Sequence, residues 1–189
     1  MDIVSIKLME NYLPLDMLRY INEFVKYEEN NNETIRIAVK LWFVDQKECK
    51  FKYGHISCWN TKKVTSMSHL FKERYNFNED ISKWNVSNVT NMRYMFYHGI
   101  NFNQDISRWN VSNVTNMRYM FAYCKRFNQD ISSWNVSNVE TISCMFYEAT
   151  NFDKNISRWN VINVSNFSGM FYNTKINTPH RTADYFVLR

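Results

Sequence analysis

The twelve residues NVSNVTNMRYMF stand at 85–96 and again, letter for letter, at 110–121. Their separation of 25 positions is a period that runs through most of the 189-residue chain. Trp59, Trp84, Trp109, Trp134 and Trp159 are five of its six tryptophans. An isoleucine precedes each by three positions: Ile56, Ile81, Ile106, Ile131 and Ile156. Val64, Val89, Val114, Val139 and Val164 follow five positions after each Trp, and Phe71, Phe96, Phe121, Phe146 and Phe171 follow twelve after. Phe77, Phe102, Phe127 and Phe152 close each period, and Asn60, Asn85, Asn110, Asn135 and Asn160 sit directly after the Trp. One such unit is too short to bury its own apolar face, whereas stacked units share a continuous core.

Within a period, FNQDISRW reads as a short extended stretch bounded by turn residues. SNVTNMRYMF reads as one or two helical turns, capped by Ser87 or Asn88, with Val89, Met92 and Phe96 on one face. Successive extended stretches should then lie in parallel at about 4.8 Å. The Asn column after each Trp should bond turn groups of the neighbouring coil.

FNQDISRWNVSNVTNMRYMF (102–121) resembles the repeat of BspA-like leucine-rich-repeat proteins, in the branch common among mycoplasma surface lipoproteins and large DNA viruses. AVKLWFVDQKECKFKYGHISCWNTKKVTSMSHLF (38–71) resembles the lead-in of those arrays, a helix followed by YGHI-S-x-W-[DN]. Together these cover roughly residues 33–177. The expected fold is an α/β repeat: a short right-handed leucine-rich-repeat-like solenoid of about five 25-residue coils, each a short parallel strand plus a short helix, behind an N-terminal helical cap. The expected division is 1–50 for the helical segment and cap, 51–177 for the solenoid and 178–189 for a C-terminal cap or tail. The resemblance implies interaction or adhesion for surface members. It defines a repeat and not an activity.

An array of this kind needs capped ends. Ile35, Val39, Trp42 and Phe43 fit an amphipathic helix over 33–50 that faces the first coil, while the alternation Ile35, Ile37, Val39, Leu41, Phe43 fits a strand. YLPLDMLRYINEFV, within a helix candidate over 8–27, looks like the opening of an F-box, which would make the chain a ubiquitin-ligase adaptor. The tail DYFVLR (184–189) either folds over the last coil or pairs with another chain, so a homodimer through the solenoid ends is one outcome.

The start MDIVSIKLMENYLPLDML has neither a basic n-region nor an apolar h-region, and no apolar run is long enough to span a bilayer. The expectation is an intracellular protein, in host cytoplasm, nucleus or virion if viral. Cys49, Cys58, Cys124 and Cys144 show no metal-type pairing and read as four buried, reduced thiols. His55, His69, His98 and His180 fall at different phases of the repeat, and no nucleophile elbow or phosphate loop is present. The expectation is therefore no enzyme, no cofactor and no metal.

Charge singles out the candidate partner-binding residues. Residues 1–55 carry net −1 and residues 56–177 carry net +5. Lys83, Arg108 and Arg158 share one repeat position and Arg93 and Arg118 share another, so stacking makes each set a row. Asp80, Asp105 and Asp130 form an acidic column, continued by Asn155. Basic rows suit an acidic protein surface or a nucleic-acid backbone; equally, they balance the Asp column on a solvated face. The expected function is a non-enzymatic protein–protein interaction module. The alternatives are a basic nucleic-acid-associated protein and the F-box-like adaptor.

Overall fold

The computed structural model describes residues 30–176 and Phe186; the 8–27 segment with its F-box-like opening, and the tail other than Phe186, lie outside them. Two α-helices come first. Helix α1 (Thr34–Val44) buries Ile35, Ala38, Val39 and Trp42, spaced as one helical face, so the helical alternative holds for this segment and the strand alternative fails. At Asp45 the backbone turns extended and α1 ends; the Asp45 carboxylate accepts the Glu48 N–H at 2.9 Å and starts α2 (Gln46–Tyr53).

Helix α1 covers the first end of the repeat stack. Trp42 meets Trp59 edge-on at 6.1 Å, Phe43 packs on Phe71 and Phe77 at 6.4 and 5.9 Å, and Arg36 donates to the Ser68 carbonyl at 2.9 Å. Just ahead of the helix, the Asn32 side-chain oxygen accepts the N–H groups of Thr65 and Ser66, both at 2.9 Å. In the next coil the equivalent Thr90 N–H donates instead to Thr65 of the coil before it. Asn32 thus takes the place that a preceding coil holds for the later coils.

From Trp59 onward, coils 1 to 5 begin at Trp59, Trp84, Trp109, Trp134 and Trp159. Their build corrects the expected strand-plus-helix coil. Within residues 30–176 there is no strand and no helix beyond α1, α2 and the short 3-10 turn Ile56–Cys58. Parallel contact between coils shrinks to single bridges, Ser66↔Asn91, Asn91↔Asn116, Asn116↔Thr141 and Thr141↔Asn166. The α/β solenoid of parallel strands is therefore not what this chain forms.

The reason lies in the backbone between Met92 and Phe102. Alternate residues donate to the next coil: Met92 to Asn116, Tyr94 to Arg118, Phe96 to Met120 and His98 to Ala122, at 2.9–3.0 Å. Residues between them, and Met92 and Phe96 again as acceptors, close tight turns: Met95 N–H to Met92, Tyr97 to Tyr94, Gly99 to Phe96. Every fourth residue is left-handed, Tyr94 at φ 57° and His98 at φ 58°. A left-handed residue interrupts both an α-helix and an extended strand, so neither can propagate. Equivalent positions repeat this in every coil: His69, Tyr94, Tyr119, Cys144 and Gly169 in one column, Glu73, His98, Tyr123, Glu148 and Asn173 in the other.

The interior follows the apolar columns. The five repeat tryptophans, Val89, Met92 and Phe96 and their counterparts are buried, apart from Phe167 in coil 5, which is half-buried. Phe71, Phe96, Phe121, Phe146 and Phe171 stack coil on coil at 5.6–6.1 Å, beside a second ladder from Phe77 to Phe152 spaced at 6.0 Å. In four of the five the indole N–H reaches back one coil to an isoleucine carbonyl, Trp84 to Ile56, Trp109 to Ile81, Trp134 to Ile106 and Trp159 to Ile131, at 2.8–3.2 Å, while Trp59 donates to Gly54. A bulky polar-tipped ring is thereby buried with its donor satisfied.

Candidate interaction faces

Because coil sits on coil, any outward position becomes a row, and the turn ribbon decides which rows face solvent. Arg93 and Arg118 are exposed, and each guanidinium lies over the tyrosine that follows it, Tyr94 at 5.0 Å and Tyr119 at 5.2 Å. The two tyrosines stack on each other at 4.7 Å, and His69 stacks on Tyr94 at 5.0 Å. A neighbouring aromatic row runs alongside: Tyr97 meets Tyr94 and Tyr123 edge-on, Lys72 lies over Tyr97, and His98 stacks on Tyr123 at 4.1 Å. Burial, followed by the charge of Arg93, holds His69 below the ordinary histidine range; burial does the same for His98. The ridge is thus a basic and aromatic strip centred on coils 2 and 3. In coils 1, 4 and 5 the arginine position is Ser68, Ser143 and Ser168.

The other predicted residues sit elsewhere. Lys83, Arg108 and Arg158 are exposed, in a row interrupted by Ser133. Asp80, Asp105 and Asp130 are also exposed, and each carboxylate accepts the N–H two residues ahead, from Ser82, Ser107 and Ser132, at 2.9–3.0 Å. Asn155 does the same for Ser157. Hydrogen bonds from Ser82 and Ser107, helped by the Lys83 and Arg108 charges, hold Asp80 and Asp105 below the usual carboxylate range; the Ser132 bonds do so for Asp130. The column therefore caps turns. Among the described residues no group of histidines, cysteines and carboxylates is placed to hold a metal ion.

Two further expectations change. The side chains of the Asn column after each Trp turn inward on their own coil: Asn85, Asn110 and Asn135 accept the N–H of Ser87, Ser112 and Ser137 through their side-chain oxygens. The inter-coil role falls to Asn88, Asn113, Asn138 and Asn163, whose amides donate to main-chain carbonyls of the coil before, at 2.7–2.8 Å. Cys49 and Cys124 are buried free thiols, but Cys58 is exposed and Cys144 half-buried. Burial, then Asp45 and Glu48, pushes the Cys49 thiol up to about 11.

The tyrosine rows were not singled out from sequence, although Tyr94 and Tyr119 lie within the duplicated twelve letters. Their outward placement follows from the left-handed backbone, which no residue type there announces. No helix among the described residues is long and apolar enough to cross a membrane. No curated protein and no solved structure matches the chain. Residues 38–143 and again 95–183 match the family model described as Mycoplasma protein of unknown function, DUF285. With most of its length so matched, the chain belongs to that family, which in general terms is that of the BspA-like repeats.

Proposed function

We propose that this chain is a non-enzymatic protein-interaction module that presents a repetitive lateral face to a macromolecular partner. The observation that supports this most is the ridge of Arg93–Tyr94 and Arg118–Tyr119, outward-facing on coils whose interior columns are nearly invariant. Arg and Tyr are the side chains that most often anchor protein interfaces, and here both are held in place by stacking. A nucleic-acid partner is less well served. Tyr94 stacks on both His69 and Tyr119 and an arginine lies over each tyrosine, so bases find few open ring faces there and binding would rest on phosphate contacts.

The test is affinity purification of the tagged chain from its source cells at low and high salt, beside R93S/R118S, which installs the serine of the other coils. One protein partner kept at both salts and lost in R93S/R118S supports the reading. Nucleic acid recovered only at low salt overturns it in favour of a backbone-binding protein. A partner unaffected by R93S/R118S removes the ridge from the proposal.

A further inference from the structure

A second surface of opposite chemistry lies on the side where the inter-coil Asn column emerges. Asn113, Thr115, Asn138, Glu140 and Asn163 line a groove of about 450 Å³ across coils 3 to 5. Each of the three amides has one N–H fixed on a carbonyl of the preceding coil, Ser87, Ser112 or Ser137, at 2.7 Å. A carbonyl partner accepts only from the NH₂ end, which settles the orientation of each amide. The side-chain oxygens of Asn113, Asn138 and Asn163 receive no hydrogen bond among the described residues. The Thr115 hydroxyl proton is likewise directed to the Thr90 carbonyl, at 3.4 Å.

Glu140 completes the groove. Its column reads Thr65, Thr90, Thr115, Glu140 and Ser165, so coil 4 alone places a carboxylate there. That carboxylate has no ion-pair or hydrogen-bond partner among the described residues. Each amide keeps a second N–H beside its oxygen, so the lining sets three such donors against three amide oxygens, the Thr115 hydroxyl oxygen and the Glu140 carboxylate, with acceptors in excess and the net charge negative. The complementary ligand carries several N–H donors and a positive charge.

We infer that this groove is a binding site for the guanidinium or ammonium side chain of a basic polypeptide segment, with Glu140 as its charged anchor and Asn113, Asn138 and Asn163 as the flanking acceptors. A planar guanidinium suits it best, because its donors diverge in a fixed fork that can reach a carboxylate and an amide oxygen at once. The site is independent of the Arg93–Arg118 ridge.

The experiment titrates the full ¹⁵N-labelled chain with an acetylated tetra-arginine amide, following the backbone amide signals and the side-chain amide signals of asparagine by NMR. The expected result is saturable shifts at Asn113, Asn138 and Asn163. E140T, which restores the residue of coils 1 to 3, should weaken binding by about tenfold, the usual worth of one charge-assisted hydrogen bond. E140Q keeps the shape without the charge and should weaken it similarly, which guards against a fold defect in E140T. D105N in the acidic column and R93S/R118S on the ridge should leave binding unchanged. Binding unaltered in E140T and E140Q, or shifts confined to the Asp80–Asp105–Asp130 column, overturns the assignment. Equal binding of a tetra-aspartate peptide does so as well.

Discussion

Coils 2 and 3 and coil 5 share a backbone and differ in what holds it. In coils 2 and 3 the left-handed residues are Tyr94, His98, Tyr119 and Tyr123, side chains that disfavour this conformation by about 1–2 kcal/mol each. Each donates its N–H to the following coil, Tyr94 to Arg118, His98 to Ala122, Tyr119 to Ser143 and Tyr123 to Tyr147, at 2.7–3.1 Å. Bonds of this kind contribute about 0.5–1.5 kcal/mol each, and ring stacking adds to them. Among the described residues no further coil follows coil 5, and the N–H groups of Gly169 and Asn173 have no acceptor there. There the two positions carry Gly and Asn, the residue types that adopt left-handed backbone most readily. Strain is tolerated where a neighbour offsets it and is relieved by residue choice where none does.

The difference can be tested from its largest effect down. Phe121→Ala empties a site between Phe96 and Phe146 and should cost about 3–5 kcal/mol. Phe171→Ala, at the end of the same ladder and flanked by Phe146 and Phe186, should cost roughly half of that. Urea midpoints of the two variants give the ratio; equal losses would mean that the last coil is packed like an interior one.

Trp109→Phe removes the indole bond to Ile81 and should cost about 1–3 kcal/mol. Trp159→Phe should cost as much, since its bond to Ile131 points back into the stack and does not depend on a following coil. A much smaller loss at Trp159 would show that coil 5 frays at the temperature of measurement.

Gly169→Ala places a Cβ on a residue at φ +65°, 3.0 Å from the Cys144 sulfur, and should destabilise by about 1–2 kcal/mol. Tyr119→Gly relieves the same strain but removes the stacking on Tyr94, so its net effect on the thermal midpoint should be near zero. A large loss in Tyr119→Gly would assign most of the coil-to-coil stability to the outer rings.

The smallest effect concerns acid. Asp80, Asp105 and Asp130 have folded values below the ordinary carboxylate range, so their contribution is present above that range and is lost as pH falls through the lowered values. Coils 1 to 3 should therefore weaken in acid, whereas Asn155 makes the equivalent turn of the following unit indifferent. D80N/D105N/D130N should be less stable than the parent at neutral pH, converge with it in acid and so lose less stability on acidification, read as urea midpoints across pH. An unchanged pH profile would show that other carboxylates dominate.

Much of this was legible in the residues. The 25-residue period, the stacking, the buried Trp, Ile, Val and Phe columns and the capping segment behind Ile35, Val39 and Trp42 follow from spacing and hydrophobicity, because burying apolar surface is non-directional and depends on which side chains recur. The coil's local form was not legible. VTNMRYMF has the spacing of a helix, and its Val89, Met92 and Phe96 are buried, yet the segment is a ribbon of turns. Its alternate N–H groups bond to another coil, and a helix would have used them within itself. The candidate faces divide in the same way. The Arg93 and Arg118 row and the Asp column are visible as repeated letters, but their meaning is positional: the arginines lie against Tyr94 and Tyr119, and the carboxylates face their own turns. Glu140 in its groove of amide oxygens emerges only when three coils are laid together. Sequence by itself determined the repeat and its core, through side-chain hydrophobicity. The backbone path, the left-handed columns and the chemistry of each outer face were decided by main-chain hydrogen bonds between residues about 25 positions apart, whose partners exist only once the coils are stacked.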